Sequence, residues 1–347
     1  MADVEKFMSV DAGDIEKIMG VAAGDIEAVM GLGIVTQLAY HGNTSFAMSG
    51  YGSTDGATAI DIVHSLSVMS TGDATDVGDL SDHWNRSTAV GSNVSSGNRI
   101  VLAGGNSSNF VDMHYIAPSS YSGGGASDFG DLDAVLKQMG SASNGTRGIF
   151  GGGKYSTTFT AGTRYITIAS DGNSNSHGTL DQSGTDPTGC QSLTKAYFSG
   201  SYTGSAYTNV ISGLTISSTA DSDDVGDLQT AGSMGSNTTG SSEARCIVSF
   251  GGSNGDYIQE IDYMNPASPG NAADFGEQAG SMAQTGPGNG TRVNWLGQAG
   301  ADGTSGSSWE QTVHKNIEHI TLASLSDALD TGGNLSMVQH SGSGWTA

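Results

Sequence analysis

The chain is short of cations, of proline and of cysteine. Twelve Lys and Arg stand against 35 Asp and Glu, a net charge of −23. Binding a phosphate backbone needs clustered cations that release counterions. No basic run is present, so no nucleic acid is expected as a partner, and the acidic surface favours solubility. The two cysteines, Cys190 and Cys246, lie far apart in dissimilar contexts. They read as neither a CxxC pair nor a disulfide framework. No apolar run approaches the ~18 residues that span a bilayer. The opening "MADVEKFMSVDAGD" has no basic segment followed by an apolar one, so no secretory signal is expected and synthesis is placed in the cytoplasm.

Hydrophobic content is 36% and charged content 14%, while glycine reaches 54 of 347 residues, far above its usual share of ~7%. A composition this poor in apolar residues invites disorder. The arrangement argues otherwise, because Ile, Val, Phe and Tyr gather in short runs separated by Gly, Ser and Asn, the punctuation of strands and turns.

Two repeats organise the chain. The first is short: "VEKFMSVDAGD", "IEKIMGVAAGD" and "IEAVMGLGI" place Val4, Ile15 and Ile26 in register, with Phe7, Ile18 and Val29 and with Met8, Met19 and Met30. The i, i+3, i+4 spacing predicts helical turns with one apolar face. Asp14 and Asp25 would cap them, and Gly20 and Gly31 would end them. Turns this short do not persist alone, so residues 1–32 are expected to bury their apolar stripe, either in the rest of the chain or as an anchor in a neighbouring subunit.

From residue 44 a longer unit recurs about every 50 residues. An apolar strand ends in glycines in "TSFAMSGYG" (44–52), "NRIVLAGGN" (98–106), "TRGIFGGGK" (146–154), "TKAYFSGSY" (194–202), "ARCIVSFGG" (244–252) and "TRVNWLGQAG" (291–300). The second residue of these is Ser45, Arg99, Arg147, Lys195, Arg245 and Arg292. A second β-rich segment follows each, such as "FVDMHYIAP" or "IQEIDYMNP", and an acidic turn closes the unit: "ATDVGDL", "ASDFGDL", "DSDDVGDL" and "AADFGEQ", with "SHGTL" and "TGGNL" as degenerate forms.

Several fragments of this repeat imitate chemical motifs. Gly148 to Lys154 falls one residue short of a phosphate-binding loop, but Tyr155 stands where Ser or Thr would hold magnesium, and strand rather than helix is expected to follow. "DGNSNSHGTLDQ" (171–182) begins like a calcium loop, then places Ser176 and Gln182 where Gly and a bidentate Glu belong. The acidic turn "DSDD" (221–224) leaves a looser Ca2+ site open, against the plainer use of Asp and Asn as turn formers. His314, Glu318 and His319 do not match the HExxH register and read as surface groups. The sequons at Asn43, Asn144 and Asn289 follow from composition. No nucleophile elbow or Cys/His pair at a known spacing occurs, and carboxylates copied into several units suit structure better than catalysis. No catalytic, cofactor-binding or metal-binding residue is assigned, no cofactor is expected, and the protein is read as not an enzyme.

A ~50-residue unit of several short strands cannot close a core alone but can against neighbours. The strand, the glycine pair and the following "v-D-x-h" strand resemble the kelch repeat. That resemblance implies an all-β, six-bladed kelch-like β-propeller over residues 33–347, preceded by the helical-turn segment 1–32. In it, Phe129 and Phe275 take the inter-blade place usually held by Trp, with Val77 and Val225 as weaker substitutes. The tail "NLSMVQHSGSGWTA" (334–347) corresponds to the stretch before each glycine-ended strand and should return to the unit begun near residue 44. A β-solenoid is the alternative architecture.

The units "IDY…DFG…TRGIFGGG" and the "DIEKIMGV" leader also look like repeat proteins of tailed phages, especially marine and cyanobacterial ones. This resemblance implies a virion structural protein of the tail-fibre or receptor-binding type. Residues 1–32 would attach it to other virion proteins, and its loops, such as "SYTGSAYTN" (201–209), would meet host-surface polysaccharide or another receptor. A capsid-surface knob or decoration protein is the near alternative, and a polysaccharide-degrading propeller enzyme the further one. Homo-oligomerisation within the particle is left open.

Overall fold

The structure is a computed structural model. It describes residues 17–18, 21–22, 28–29, 32–33, 44–52, 58–80, 88–92, 99–105, 111–233, 241–242, 244–249, 251–252, 258–278, 286–299, 313–335, 339–340 and 343–346. The chain divides into two compact units, Met1–Leu38 and Ala39–Ala347.

In the first unit, the described residues form two tiny antiparallel pairs. Lys17–Ile18 pairs with Val21–Ala22, and Ala28–Val29 with Leu32–Gly33. This corrects the expected helical turns. The 11-residue repeat is real, but it repeats a strand pair. The reason is local: a helix of one or two turns cannot offset its nucleation cost. The β-branched Ile18, Val21 and Val29 favour extended backbone. The residues between partners are Met19-Gly20 and Met30-Gly31, each ending in the residue that two-residue hairpin loops favour. The remaining residues of the 1–32 leader lie outside the described residues.

Among its described residues the second unit is all β, with one short 3-10 turn at Pro118–Ser120. The same described residues form six antiparallel sheets of three or more strands, called I to VI here. Sheet I joins Thr44–Gly52, Thr58–Ser67 and Thr75–Asp79. Sheet II joins Thr88–Ser92, Arg99–Ala103, Asp112–Ile116 and Ser127–Asp131. Sheet III joins Gly140–Ser143, Arg147–Gly151, Gly162–Thr167 and Asn175–Thr179. Sheet IV joins Thr188–Gln191, Lys195–Tyr202, Tyr207–Thr215 and Asp223–Gly232. Sheet V joins Cys246–Ser249, Glu260–Met264 and Ala273–Glu277. Sheet VI joins Arg292–Ala299, Val313–Thr321 and Leu329–Asn334. The stretches 234–240 and 279–285, which precede the first strands of sheets V and VI, lie outside the described residues.

The tail returns to sheet I. Ser343–Thr346 pairs with the strand that opens at Thr44, with Trp345 opposite Phe46 and Ser343 opposite Met48.

Each sheet packs on its neighbours in sequence. Phe46, Leu102, Phe129, Phe150 and Ile166 form one apolar cluster across sheets I, II and III. Ile149, Phe198 and Leu214 join sheets III and IV. Tyr197, Ile211, Val248 and Met264 join IV and V, and Ile247, Phe275, Trp295 and Ile320 join V and VI. Leu66 and Ala74 of sheet I meet Leu296, Ile317 and Leu335 of sheet VI. The core is therefore a series of inter-sheet seams. Trp295, wholly buried, donates its indole N–H to Ser249 Oγ at 3.0 Å across one of them, as a buried indole requires.

The two cysteines are joined, which corrects the sequence reading. Cys190 in the first strand of sheet IV and Cys246 in sheet V are fully buried and disulfide-bonded, with Cα atoms 5.7 Å apart. They occupy different strands of different units, so their spacing carries no signature. Only the facing of two packed sheets brings them together.

Candidate functional site

The acidic turn is where the repeat spends its carboxylates, and the structure shows how. In sheet II, Asp128 Oδ1 accepts the N–H of Gly130. The next residue, Asp131, gives its own N–H to Asn173 Oδ1 of sheet III at 3.0 Å and accepts the N–H of Ser174 at 2.8 Å. The same two bonds recur at each following joint. Thr179 N–H reaches Asp221, and Asp227 N–H reaches Asn271. Glu277 N–H reaches Asp327, and Asn334 N–H reaches Asp73 of sheet I. The return bonds come from Ser222, Ala272, Ala328 and Ala74, at 2.7 to 2.9 Å. Between sheets I and II, Tyr121 Oη and the N–H of Gly125 both donate to Asp79 O.

The glycine of the turn is fixed by this joint. At Gly130, with φ +138°, a Cβ would sit 2.6 Å from the carbonyl carbon of Gly172 in the next sheet. At Gly226, with φ +148°, it would sit 2.4 Å from that of Gly270. Both the left-handed backbone and the close approach demand glycine.

The residue before that glycine is bulged. The ladder skips Val77, Phe129, His177, Val225 and Phe275, while the third strand opposes the flanking positions. Phe129 is buried and meets Tyr115 edge-on at 6.2 Å, and Phe275 meets Tyr263 at 6.0 Å. The repeated arginines complete the stack: Arg99 over Tyr115 at 4.2 Å, Arg147 over Tyr165 at 4.0 Å and Arg245 over Tyr263 at 5.2 Å. Arg147 then donates to Ile216 O of the next sheet at 2.9 Å, and Arg245 to Leu322 O.

Opposite the bulge stands a polar residue in every unit: His64, His114, Arg164, Ser212, Asp262 and Glu318. Its identity varies, so sequence inspection misses it. The common signal is its place directly after a buried residue of the same strand: Val63, Met113, Thr163, Ile211, Ile261 and Ile317. Ser212 Oγ accepts the N–H of Asp181, Asp262 Oδ2 accepts that of Gln229, and Arg164 Nε donates to the Asp133 carboxylate. In each case the partner follows the buried Leu of the preceding sheet's acidic turn. Burial pushes the Asp262 carboxyl up to about 6, with Glu260 and Asp274 adding to the rise and the Gln229 N–H opposing it.

These joints absorb most of the singled-out residues. Asp171 pairs with Arg99, Asn173 caps Asp131, and Asp221 accepts from both N and Oγ1 of Thr179. Asp224 caps Gly226. Of the would-be calcium ligands, Asp171 thus holds a guanidinium while Asn173, Asp221 and Asp224 hold backbone amides, and among the described residues no group of three or more His, Cys, Asp or Glu could hold a metal ion. Glu318 is buried and accepts from Asn316 Nδ2, which corrects its surface reading. Burial first and then Arg292 push the His319 imidazole down; the side chain of His314 lies outside the described residues. Asn144 and Asn289 accept the N–H groups of Arg147 and Arg292 as turn formers. After Gly153 the chain enters a small strand pair, Lys154–Tyr155 with Thr158–Phe159, instead of the helix a phosphate loop opens.

One end of the unit carries a different chemistry. The Lys154–Phe159 pair belongs to the connection between the second and third strands of sheet III. In sheet IV the corresponding hairpin extends through Tyr202 and Tyr207, which oppose each other. Phe159 meets Tyr202 edge-on at 6.2 Å, and Tyr202 lies 5.1 Å from Tyr207. Lys154 Nζ is 5.7 Å from the Phe159 ring. Lys137 bridges to Lys154, and Thr185 to Tyr202, which brings Gln138 and Asp186 to the same end. Gln138 Nε2 donates to Asp186 Oδ2 at 2.6 Å. Burial, then Tyr202 and Asp186, push the Tyr207 phenol up. A half-buried aromatic group beside polar side chains is suited to binding and contains no nucleophile–base pair.

No protein-family model matches the chain, and no curated protein matches it. No helix among the described residues is long and apolar enough to cross a membrane, and the described second unit is all β.

Proposed function

We propose that residues 33–347 close into a six-bladed, kelch-like β-propeller and that the chain is a virion structural protein of a tailed phage. In this reading it is a tail-fibre or receptor-binding appendage held to other virion proteins by residues 1–32. The carrying observation is the joint between Asn334 and Asp73. It repeats, between the last sheet and the first, the bond that links each earlier pair from sheet II onward. The tail strand 343–346 on sheet I supports closure, as do the shared apolar seams. A closed set of sheets leaves no free edge to aggregate and holds its connecting loops on a rigid frame, where binding residues are commonly carried.

The described residues of the repeated acidic turns are engaged in these joints, which supports a binding role over an enzymatic one. Proteomics and electron microscopy of purified particles test the assignment. Tens of copies or fewer at the tail support the appendage, and hundreds over the shell support the capsid-decoration alternative. Absence from particles refutes both. Release of oligosaccharides from host capsule by the purified chain would instead establish the degrading enzyme.

A further inference from the structure

The aromatic end of sheets III and IV has features that the inter-sheet joints do not require. Phe159, Tyr202 and Tyr207 form a continuous series across two hairpins. The tip of the second leans on the first, since a Cβ at Gly204 would lie 2.6 Å from the Phe159 ring. Beside them, Gln138 and Asp186 both hold left-handed backbone, φ 61° and 53°, a conformation that costs a non-glycine residue stability. Gln138 is only 8% exposed, its amide nitrogen is bound to Asp186, and its Oε1 has no hydrogen-bond partner. A buried acceptor left unmade is costly; this oxygen is closed off from solvent, so a ligand donor reaches and satisfies it by a turn of the Gln138 side chain, the rotamer change that binding commonly brings. Thr203 and Ser205 add hydroxyls at the hairpin tip.

We propose that this end binds a neutral saccharide, stacked on Tyr202 and Tyr207 and hydrogen-bonded through its hydroxyls to Asp186 and Gln138. This rests on the reading of the chain as a surface-binding module and names the ligand chemistry of that surface. A pyranose ring presents an apolar C–H face that suits a tyrosine ring, while its hydroxyls donate to a carboxylate and an amide oxygen. Tyrosine supplies this amphipathic contact at low entropic cost. Neutrality follows from charge: a chain of net −23 repels a polyanion.

The test is calorimetric titration of the full chain with neutral glucan, galactan and mannan oligosaccharides and with a uronate polymer. One neutral class is expected to bind and the uronate polymer not to. Tyr207→Ala and Asp186→Asn should each weaken binding about tenfold or more. Asparagine tolerates the left-handed backbone at 186, so that variant keeps its fold. Tyr155→Ala should leave binding unchanged, since alternation puts Tyr155 on the opposite face of its strand from Lys154. Failure of every neutral sugar at millimolar concentration, preference for the uronate polymer, or indifference to both site variants overturns the site. Particles that need the chain to adsorb, yet adsorb normally with Tyr207→Ala and Asp186→Asn, refute this site and leave the virion reading standing. If the chain is absent from particles, the virion reading fails while calorimetry still decides the site.

Discussion

Asn334 gives its backbone N–H to Asp73 Oδ1 at 2.9 Å across 261 positions of sequence. Glu277 makes the same bond to Asp327 across 50. Equal chemistry at unequal separation separates an intact joint between sheets VI and I from a local turn preference. Asp73→Ala and Asp327→Ala should each cost about 1 kcal/mol and lower the melting temperature by about 2 °C. A melt in which Asp327→Ala has this effect and Asp73→Ala has none would show that sheets VI and I are not joined in solution.

The turn glycines should be far less tolerant than their neighbours. Gly226→Ala meets both the backbone of Gly270 and a left-handed φ, and should cost about 3 kcal/mol or more. Gly270→Ala points into open space at an ordinary φ and should stay within about 0.5 kcal/mol. Denaturant midpoints of the two variants compare them directly.

Asp262 makes stability depend on pH in the sense opposite to an ordinary paired carboxylate. Its folded value, about 6, lies above the unfolded 3.8, so the folded state binds the proton more tightly. The stabilisation from this group is full below pH 3.8 and is lost as pH rises through about 6. Asp262→Asn keeps an acceptor for the Gln229 N–H and removes the charge. It should raise stability at pH 7 by about 2 kcal/mol and flatten the profile between pH 4 and 6. His177, pushed down mainly by burial, works the other way: its contribution is present above pH 6.5 and is lost as pH falls. Melts of Asp262→Asn from pH 4 to 8 isolate the carboxylate.

The buried disulfide closes a loop of 56 residues between sheets IV and V. Cys190→Ala with Cys246→Ala should lower stability by about 4 kcal/mol on the chain-entropy account. Loss of the same amount in the wild-type chain under strong reductant, and none in the double variant, is the expected pattern.

Gln278 occupies the place that Leu80, Leu132, Leu180, Leu228 and Leu335 hold in the other units. It is 3% exposed, and both its amide atoms lack a hydrogen-bond partner. Gln278→Leu should therefore stabilise the protein by about 1 to 2 kcal/mol, read as a rise in denaturant midpoint at unchanged slope.

The larger repeat was legible because glycine spacing and β-branched runs report strand ends directly, and the tail's register with the stretch before each unit was readable from 334–347. The partners of the acidic turn were not. Asp73, Asp221 and Asp327 look like ordinary turn residues until the next sheet is in place. The Phe129 and Phe275 positions drew notice as aromatics, but the bulge that turns them depends on ladder register, which single residues do not encode. In the leader, the i, i+3, i+4 spacing of Ile15, Ile18 and Met19 fits a helix as well as it fits a short hairpin, and length decided against the helix. Cys190 and Cys246 illustrate the same limit, since contact between non-equivalent strands leaves no spacing to detect. At the aromatic end, the segment 201–209 was visible from its tyrosines. Gln138 and Asp186 were invisible, because a left-handed glutamine has no sequence mark.

The pairing of Ser343–Thr346 with the strand at Thr44–Gly52 has a consequence during synthesis. Roughly 300 residues separate the partners, which at ~5–20 residues per second is about 15–60 s on the ribosome. Throughout that interval the early strand, paired with Thr58–Ser67 on one side, waits with its other edge uncovered, available to any neighbouring nascent chain. Crowded polysomes would present many such waiting strands at once, and the yield of soluble protein would then be governed by the rate of translation as much as by the depth of the final energy minimum.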